Sequence, residues 1–579
     1  MIKQEQQVWD SILRLRQIIF CVKEKKMTDY KKMSVYQIYP KSFQDSNGDG
    51  IGDINGIISR LPYIAELGVE YIWLTPIYIS PGNDNGYDIA DYYNIDPVYG
   101  TTDDFKNLLH ETHKRGLKVM MDIVVNHTST EHIWFKESSK SEDNPYRNFY
   151  IWKKNEGKLP NNWVSKFGGP VWTLDERTDS YYLHLYDVTQ ADLNWEYEPM
   201  RQEIYKMMRH WLDLGIDGFR LDVINLLSKD QNFPYDTLNT FTDDGRKYYT
   251  DGPKIHDYLK EMNKEVFSRY NNVITVGEMS STSLEACIEY TKPESKELSM
   301  IFSFHHLKTD YKNKDKWELQ KPDIMELKEY FTKWQNGMEK ESGWSALFWC
   351  NHDQPRIVSR MGNEAEYRYE SAAMLATLLH MMQGTPYIYQ GEEIGMLNAH
   401  FDKITDYEDV ESLNAYKNMI NAGKSEEEAL KILRERSRDN SRTPVQWDNT
   451  ENSGFSTGKP WIKMGKMADR INVEEDLKNE KSVFSYYKKL INMRKEYDII
   501  RDGNFTILDA DSEDTFIYTR ETEREVLYVI CNLTDKTLEI DKKITDSAAG
   551  GKCLITNTDI PCEKGMLKPY ETSVWLLKK

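Results

Sequence analysis

Residues 102–127, TDDFKNLLHETHKRGLKVMMDIVVNH, contain one complete helix and the strand it feeds. Phe105, Leu108, Leu109 and Thr112 fall on one helical face, Asp103 and Asp104 sit in the first turn, and Gly116 closes the end. Residues 118–125 follow as an apolar run, the mark of a buried strand. The same grammar recurs: a helix over 200–214 stops at Gly215 and feeds a strand over 216–223, and a helix ending near Tyr270 feeds 273–277. The strand candidates in order are 35–39, 70–75, 118–125, 216–223, 273–277, 299–304, 345–350 and 385–390. Eight strands with helices between them predict an α/β protein built on a (β/α)8 barrel rather than an open sheet.

The rest of the chain hangs on that frame. Residues 1–32, rich in Lys, Glu and Gln, lack the alternation and read as an N-terminal extension; Met27 and Met33 are each possible starts. The barrel is expected over 33–127 and 198–501. Between its third and fourth strands lies an insertion, 128–197, rich in Trp, Tyr, Asn and Gly, long enough to form a lid or small subdomain. From 502 to 579 short alternating strands separated by turn residues predict a β-sandwich domain.

Composition limits the function. The 579 residues hold 75 Lys and Arg against 94 Asp and Glu, a net charge of −19, which argues against nucleic acid as a partner, since phosphate-backbone binding needs a basic face that this balance does not advertise. The longest apolar run near the start, 18–22, is far too short to span a membrane or to serve as a secretory core. Six scattered cysteines show no metal-ligand spacing and read as reduced thiols of a cytoplasmic protein.

In a barrel the chemistry sits where the strands end. The third strand ends Asp122-Ile-Val-Val-Asn126-His127, the fourth Arg220-Leu-Asp222-Val223, the fifth Val276-Gly277-Glu278 and the seventh Asn351-His352-Asp353. Asp222, Glu278 and Asp353 are thus three carboxylates on three strands of one barrel, with Arg220 and two histidines beside them. Two carboxylates flanking an anomeric carbon are what glycoside hydrolysis requires, one as nucleophile or base and one as proton donor. Arg220, two positions before Asp222 on a strand, shares its face and keeps it ionised. Glu278 follows an apolar strand and a glycine, a setting that favours its protonated form.

These motifs resemble those of the α-amylase-type retaining glycosidases over about residues 33–579. The resemblance implies Asp222 as nucleophile, Glu278 as general acid/base and Asp353 as transition-state stabiliser. It adds Asp88, His127, Arg220 and His352 as sugar contacts, with Tyr87 stacking on the ring. Gln190-Ala-Asp192-Leu-Asn194 and Ser437-Arg438-Asp-Asn-Ser-Arg442 resemble the oligo-1,6-glucosidase branch, although Ala191 stands where many relatives have Pro. One of Arg438 and Arg442 is expected to reach the non-reducing end of the sugar, with Arg442 favoured.

Val276 to Leu284, Glu297 to Lys308 and Trp349 to Arg360 look most like the trehalose-6-phosphate hydrolases within that branch. Their distinctive feature here is His305-His306-Leu-Lys308, where oligo-1,6-glucosidases tend to carry an acidic residue before one His. Cations at the pocket rim suit a phosphorylated sugar; a His pair satisfied by backbone with a solvated Lys is the competing reading. The implied reaction splits α,α-trehalose 6-phosphate into glucose and glucose 6-phosphate. Exo-acting oligo-1,6-glucosidase activity is the alternative, and a non-catalytic scaffold of amylase fold is a third reading that the intact carboxylates oppose.

Asp45-Ser-Asn47-Gly-Asp49-Gly50-Ile51-Gly-Asp53 sets oxygen donors at alternate positions around glycine turns, as a Ca²⁺ loop does. Its twelfth position is Gly56 rather than Glu, and it follows a strand, so it is not a helix–loop–helix site. The resemblance implies a structural Ca²⁺, or Mg²⁺, held by Asp45, Asn47, Asp49, the Ile51 carbonyl and Asp53. No organic cofactor is implied.

Overall fold

The computed structural model describes residues 29–237, 243–562 and 565–579. Of the proposed N-terminal extension, residues 1–28 lie outside the described residues.

The helix Thr102–Lys114 forms as its sequence dictates. Thr101 accepts from the Asp104 amide while the Asp104 carboxylate accepts from the Thr101 amide, a reciprocal cap that satisfies two otherwise orphaned donors. Eight parallel strands form the central sheet: β1 (Val35–Ile38), β2 (Tyr71–Leu74), β3 (Lys118–Val124), β4 (Gly218–Asp222), β5 (Ile274–Met279), β6 (Met300–Ser303), β7 (Ala346–Leu347) and β8 (Thr385–Tyr389). Pairing runs β6-β5-β4-β3-β2-β1-β8-β7, and a parallel bridge between Ile301 and Ser345 closes β6 onto β7. This is the predicted barrel. All the residues of β1, β2, β4, β5, β6 and β8 are buried, because the outer helices cover one face and the packed interior the other.

Register sets the site. Arg220 on β4 lies beside Asp122 on β3 and Val276 on β5, while Glu278 lies beside Phe302 on β6. Gly277 is required by space, since a Cβ there would come 2.6 Å from Leu298 and 2.9 Å from Ile224.

The insertion returns to the barrel through residues Gln190–Asp192, which pair antiparallel with His127–Ser129 at the mouth of β3. Its core of Ile151, Trp163, Trp172 and Leu183 merges with Val223, Phe233 and Tyr249 from the segment after β4. A second excursion, 391–482 after β8, carries helices Val410–Asn421 and Glu426–Arg436 and packs around its own apolar cluster. The C-terminal region is a five-stranded antiparallel sheet of β9 (Asn504–Ile507), β10 (Thr515–Glu521), β11 (Glu525–Asn532), β12 (Lys552–Thr556) and β13 (Thr572–Lys578). One face joins the main core; the other holds a two-stranded ribbon and the helix Lys542–Ala549.

Candidate active site

Arg220 organises the centre of the barrel mouth. Its Nη1 donates to both Asp122 oxygens at 2.8 and 3.1 Å and to Asp222 at 2.6 Å, and its Nη2 donates to Glu278 at 2.5 Å. It is 1% exposed and lies over the rings of Trp73 and Tyr87. Three carboxylates around one guanidinium repel one another in a medium that solvates none of them well. Burial pushes Asp122 up to about 6 despite Arg220, and burial followed by the neighbouring carboxylates carries Asp222 well above the ordinary carboxylate range, with Arg220 opposing. Asp122 and Asp222 are thus both held above the ordinary carboxylate range, with Arg220 opposing.

Val223, directly after Asp222, has φ +36° and ψ +41°, a left-handed conformation that costs a β-branched residue of order 1–3 kcal/mol. That turn aims its amide N–H at Glu278, 3.3 Å away. The strain thus sits between the two carboxylates.

Asp353 is held from the other side. Arg442 donates to it at 2.7 Å and Arg438 at 3.3 Å. Burial opposes its ionisation, but the adjacent His352 and the charges of Arg438, Arg442 and Arg220 together hold it far below the usual range. His352 accepts from Gln37 through Nδ1 at 2.8 Å, which puts its proton on Nε2, 3.3 Å from Asp353 Oδ2. The Tyr87 ring stacks on His352 at 5.2 Å, and its hydroxyl donates to Asp122. Burial lowers His127 to about 4 and His352 to about 3, so both are neutral at physiological pH.

Glu278, Asp353, Tyr186, Val223, Arg438 and Lys308 are among the walls of one cavity of about 280 Å³. Not every expected residue reaches it. Asp88 is fully buried, and its carboxylate accepts from Ser80 and from the amides of Asn83 and Asp84, so it ties the loop rather than facing the sugar site. Asp84 instead meets side chains around the site: it accepts from Gln190 at 3.1 Å and from Arg438 at 3.2 Å, and burial raises it to about 7. The sequence offered both acids in one turn without distinguishing them. His306 is also turned away, donating through Nε2 to the Phe348 carbonyl within a buried aromatic group. His305 bonds Ser303 and stacks on Tyr330. Neither histidine faces the cavity, and the backbone-satisfied reading is the one observed for His306. Lys308 alone of that motif is exposed there, and its ammonium makes no ion pair or hydrogen bond with a described residue.

Both arginines touch Asp353, but they differ in freedom. Arg438 lines the cavity and is held by Asp409 and Asp84, whereas Arg442 is 1% exposed with its Nη1 3.6 Å from Asp409. Asp409 gave no catalytic signal in sequence: it also caps the helix Val410–Asn421, which explains it as an ordinary N-cap.

The loop 45–53 is closed by its own hydrogen bonds. Asp45 accepts from the amides of Asn47, Gly48 and Gly50, Asn47 from Asp49, and Asp49 from Ile51; Asp53 caps the following helix through Gly56. Among the described residues no group of three His, Cys, Asp or Glu side chains converges as a ready metal site. The donor set is nonetheless all oxygen, and an oxygen accepting one N–H retains a lone pair, so its chemistry fits a hard cation.

Residues 37–503 match the catalytic domain of the alpha-amylase family. The chain is 55% identical to trehalose-6-phosphate hydrolase of Bacillus subtilis over 95% of its length and 98% of that protein. It is 49% identical to an oligo-1,6-glucosidase of Bacillus cereus over 95% of this chain and 99% of the relative. The crystal structure of Bacillus licheniformis trehalose-6-phosphate hydrolase superposes with a TM-score of 0.90 at 55% identity, covering 95% of this chain and 100% of the other.

Proposed function

The chain belongs to the alpha-amylase family of glycoside hydrolases, and we propose that it cleaves α,α-trehalose 6-phosphate to glucose and glucose 6-phosphate with retention at the cleaved carbon. Asp222 attacks the anomeric carbon as the bond to the bridging oxygen breaks, and Glu278 passes its proton to that oxygen, releasing glucose 6-phosphate. Glu278 then takes a proton from water, which displaces Asp222 and frees glucose. Both carboxylates bond one guanidinium, which brings them together as the retaining mechanism requires. Asp353, kept ionised by its arginines, faces the positive charge that develops on the sugar. His352, His127, Asp84 and an arginine of the Arg438–Arg442 pair supply directed polar contacts to its hydroxyls.

The observation that carries the substrate is Lys308: an exposed, unpaired cation on the same cavity as Glu278 and Asp353, in a chain of net charge −19. A charge-assisted hydrogen bond is worth about 1.5–3 kcal/mol, or roughly ten- to over a hundredfold. Lys308→Ala is therefore expected to lower kcat/KM for trehalose 6-phosphate by that factor and to leave p-nitrophenyl α-glucoside nearly unchanged. A wild type that hydrolyses isomaltose as well as trehalose 6-phosphate would instead make it an oligo-1,6-glucosidase.

We further assign a structural Ca²⁺, or Mg²⁺, to Asp45, Asn47, Asp49, the Ile51 carbonyl and Asp53, where a cation offsets the repulsion of three carboxylates. The loop holds none of the reacting groups. No helix among the described residues is long and apolar enough to cross a membrane. The five described cysteines are free; reduced thiols and a phosphorylated substrate support a cytoplasmic location.

A further inference from the structure

The cavity mouth holds four cations, and they are not equivalent. Lys316 is paired with Glu411 at 2.6 Å, and Arg438 is taken up by Asp409, Asp84 and Asp353. Lys308 and Lys166 remain, and neither has an ion-pair partner among the described residues. They come from different parts of the chain, Lys308 from the turn after β6 and Lys166 from the insertion. Lys166 is half-buried, with its ammonium 5.3 Å from the Tyr249 ring, which belongs to the segment after β4. The neighbouring Arg246 is neutralised by Asp244 at 2.8 Å.

We propose that Lys166 is a second specificity-determining contact to the substrate's phosphate, acting with Lys308 so that the insertion and the barrel each contribute one cation. The proposal rests on the reading of the substrate above. A sugar phosphate carries between one and two negative charges near pH 7, which two unpaired ammonium groups match. Burial, with Arg246 and Lys308 adding like-charge repulsion and Asp244 opposing, lowers Lys166 to about 8. It is thus charged at neutral pH, and an arriving anion relieves the repulsion it bears. The insertion packs on the segment that begins with the strained Val223, so a phosphate bridging Lys166 and Lys308 also holds the insertion over the carboxylate pair.

The test compares Lys166→Met and Lys166→Arg with the wild type on trehalose 6-phosphate, isomaltose and p-nitrophenyl α-glucoside, with glucose 6-phosphate as an inhibitor. Lys166→Met is expected to lose roughly ten- to a hundredfold in kcat/KM on trehalose 6-phosphate alone, and glucose 6-phosphate should inhibit it correspondingly less. Lys166→Arg should recover most of the loss. Equal losses on all substrates would make Lys166 a structural wall residue and overturn the proposal. So would unchanged selectivity in Lys166→Met against a wild type that prefers the phosphorylated sugar. A wild type with no such preference overturns the substrate reading itself, a separate outcome because it is seen before any variant is made.

Discussion

Arg220→Gln removes the one cation that three buried carboxylates share. Breaking a buried ion pair by deleting one partner costs about 3–5 kcal/mol, because the remaining charges stay buried without compensation. At about 1.36 kcal/mol per pKa unit, this corresponds to roughly two to four units of upward shift spread over Asp122 and Asp222. The sign of the pH dependence follows. Asp122 and Asp222 already lie above their unfolded values, so the folded protein binds more protons than the unfolded chain, and this cluster's contribution to stability falls as pH rises. Without Arg220 that fall is steeper and extends further upward. Melting curves of wild type and variant at pH 5, 6, 7 and 8 should therefore diverge: a small difference at pH 5, where protons replace the guanidinium, and a gap of several degrees at pH 8. Activity should fall by at least about three orders of magnitude at pH 7, since one removed group orients both reacting carboxylates. An equal loss of melting temperature at pH 5 and pH 8 would refute the shared-charge account, because a lost packing contact does not titrate.

Asp222→Ala and Glu278→Gln should each lower turnover by several orders of magnitude with the melting temperature nearly kept, and Asp222→Ala should fail to trap a glycosyl-enzyme; wild-type-like rates in either purified variant would remove the retaining mechanism. Asp84→Asn should raise KM and lower kcat on trehalose 6-phosphate, whereas Asp88→Asn, which alters a loop tie, should act mainly on the melting temperature; the reverse pattern would restore Asp88 to the sugar site. Excess chelator should lower the melting temperature and added Ca²⁺ should restore it by mass action, and elemental analysis showing no bound divalent ion in an unaffected protein would rule the metal out.

The sequence by itself determined the barrel, the order of its strands and the carboxylates at their ends. Strand and helix periods are local, and in a barrel each strand's last residues point to the same mouth, so Asp222, Glu278 and Asp353 were legible from position alone. Arg220 was legible for the same reason, two residues before Asp222 on one strand. What only the tertiary structure decided is which of several equivalent polar groups is left free. Asp84 and Asp88 differ in nothing the sequence displays; the structure separates them because amides of the same loop consume Asp88, while Arg438, 354 residues away, meets Asp84. His305 and His306 looked like rim cations beside Lys308, yet a short helical turn points both into an aromatic layer and leaves only the lysine at the surface. Lys166 carried no signal, since its significance lies in a lack of counter-charge that appears only once Lys316 has found Glu411 and Arg438 has found Asp409. Local order is written in near-neighbour patterns, whereas charge compensation is a property of packed surroundings, and those are assembled from segments hundreds of residues apart.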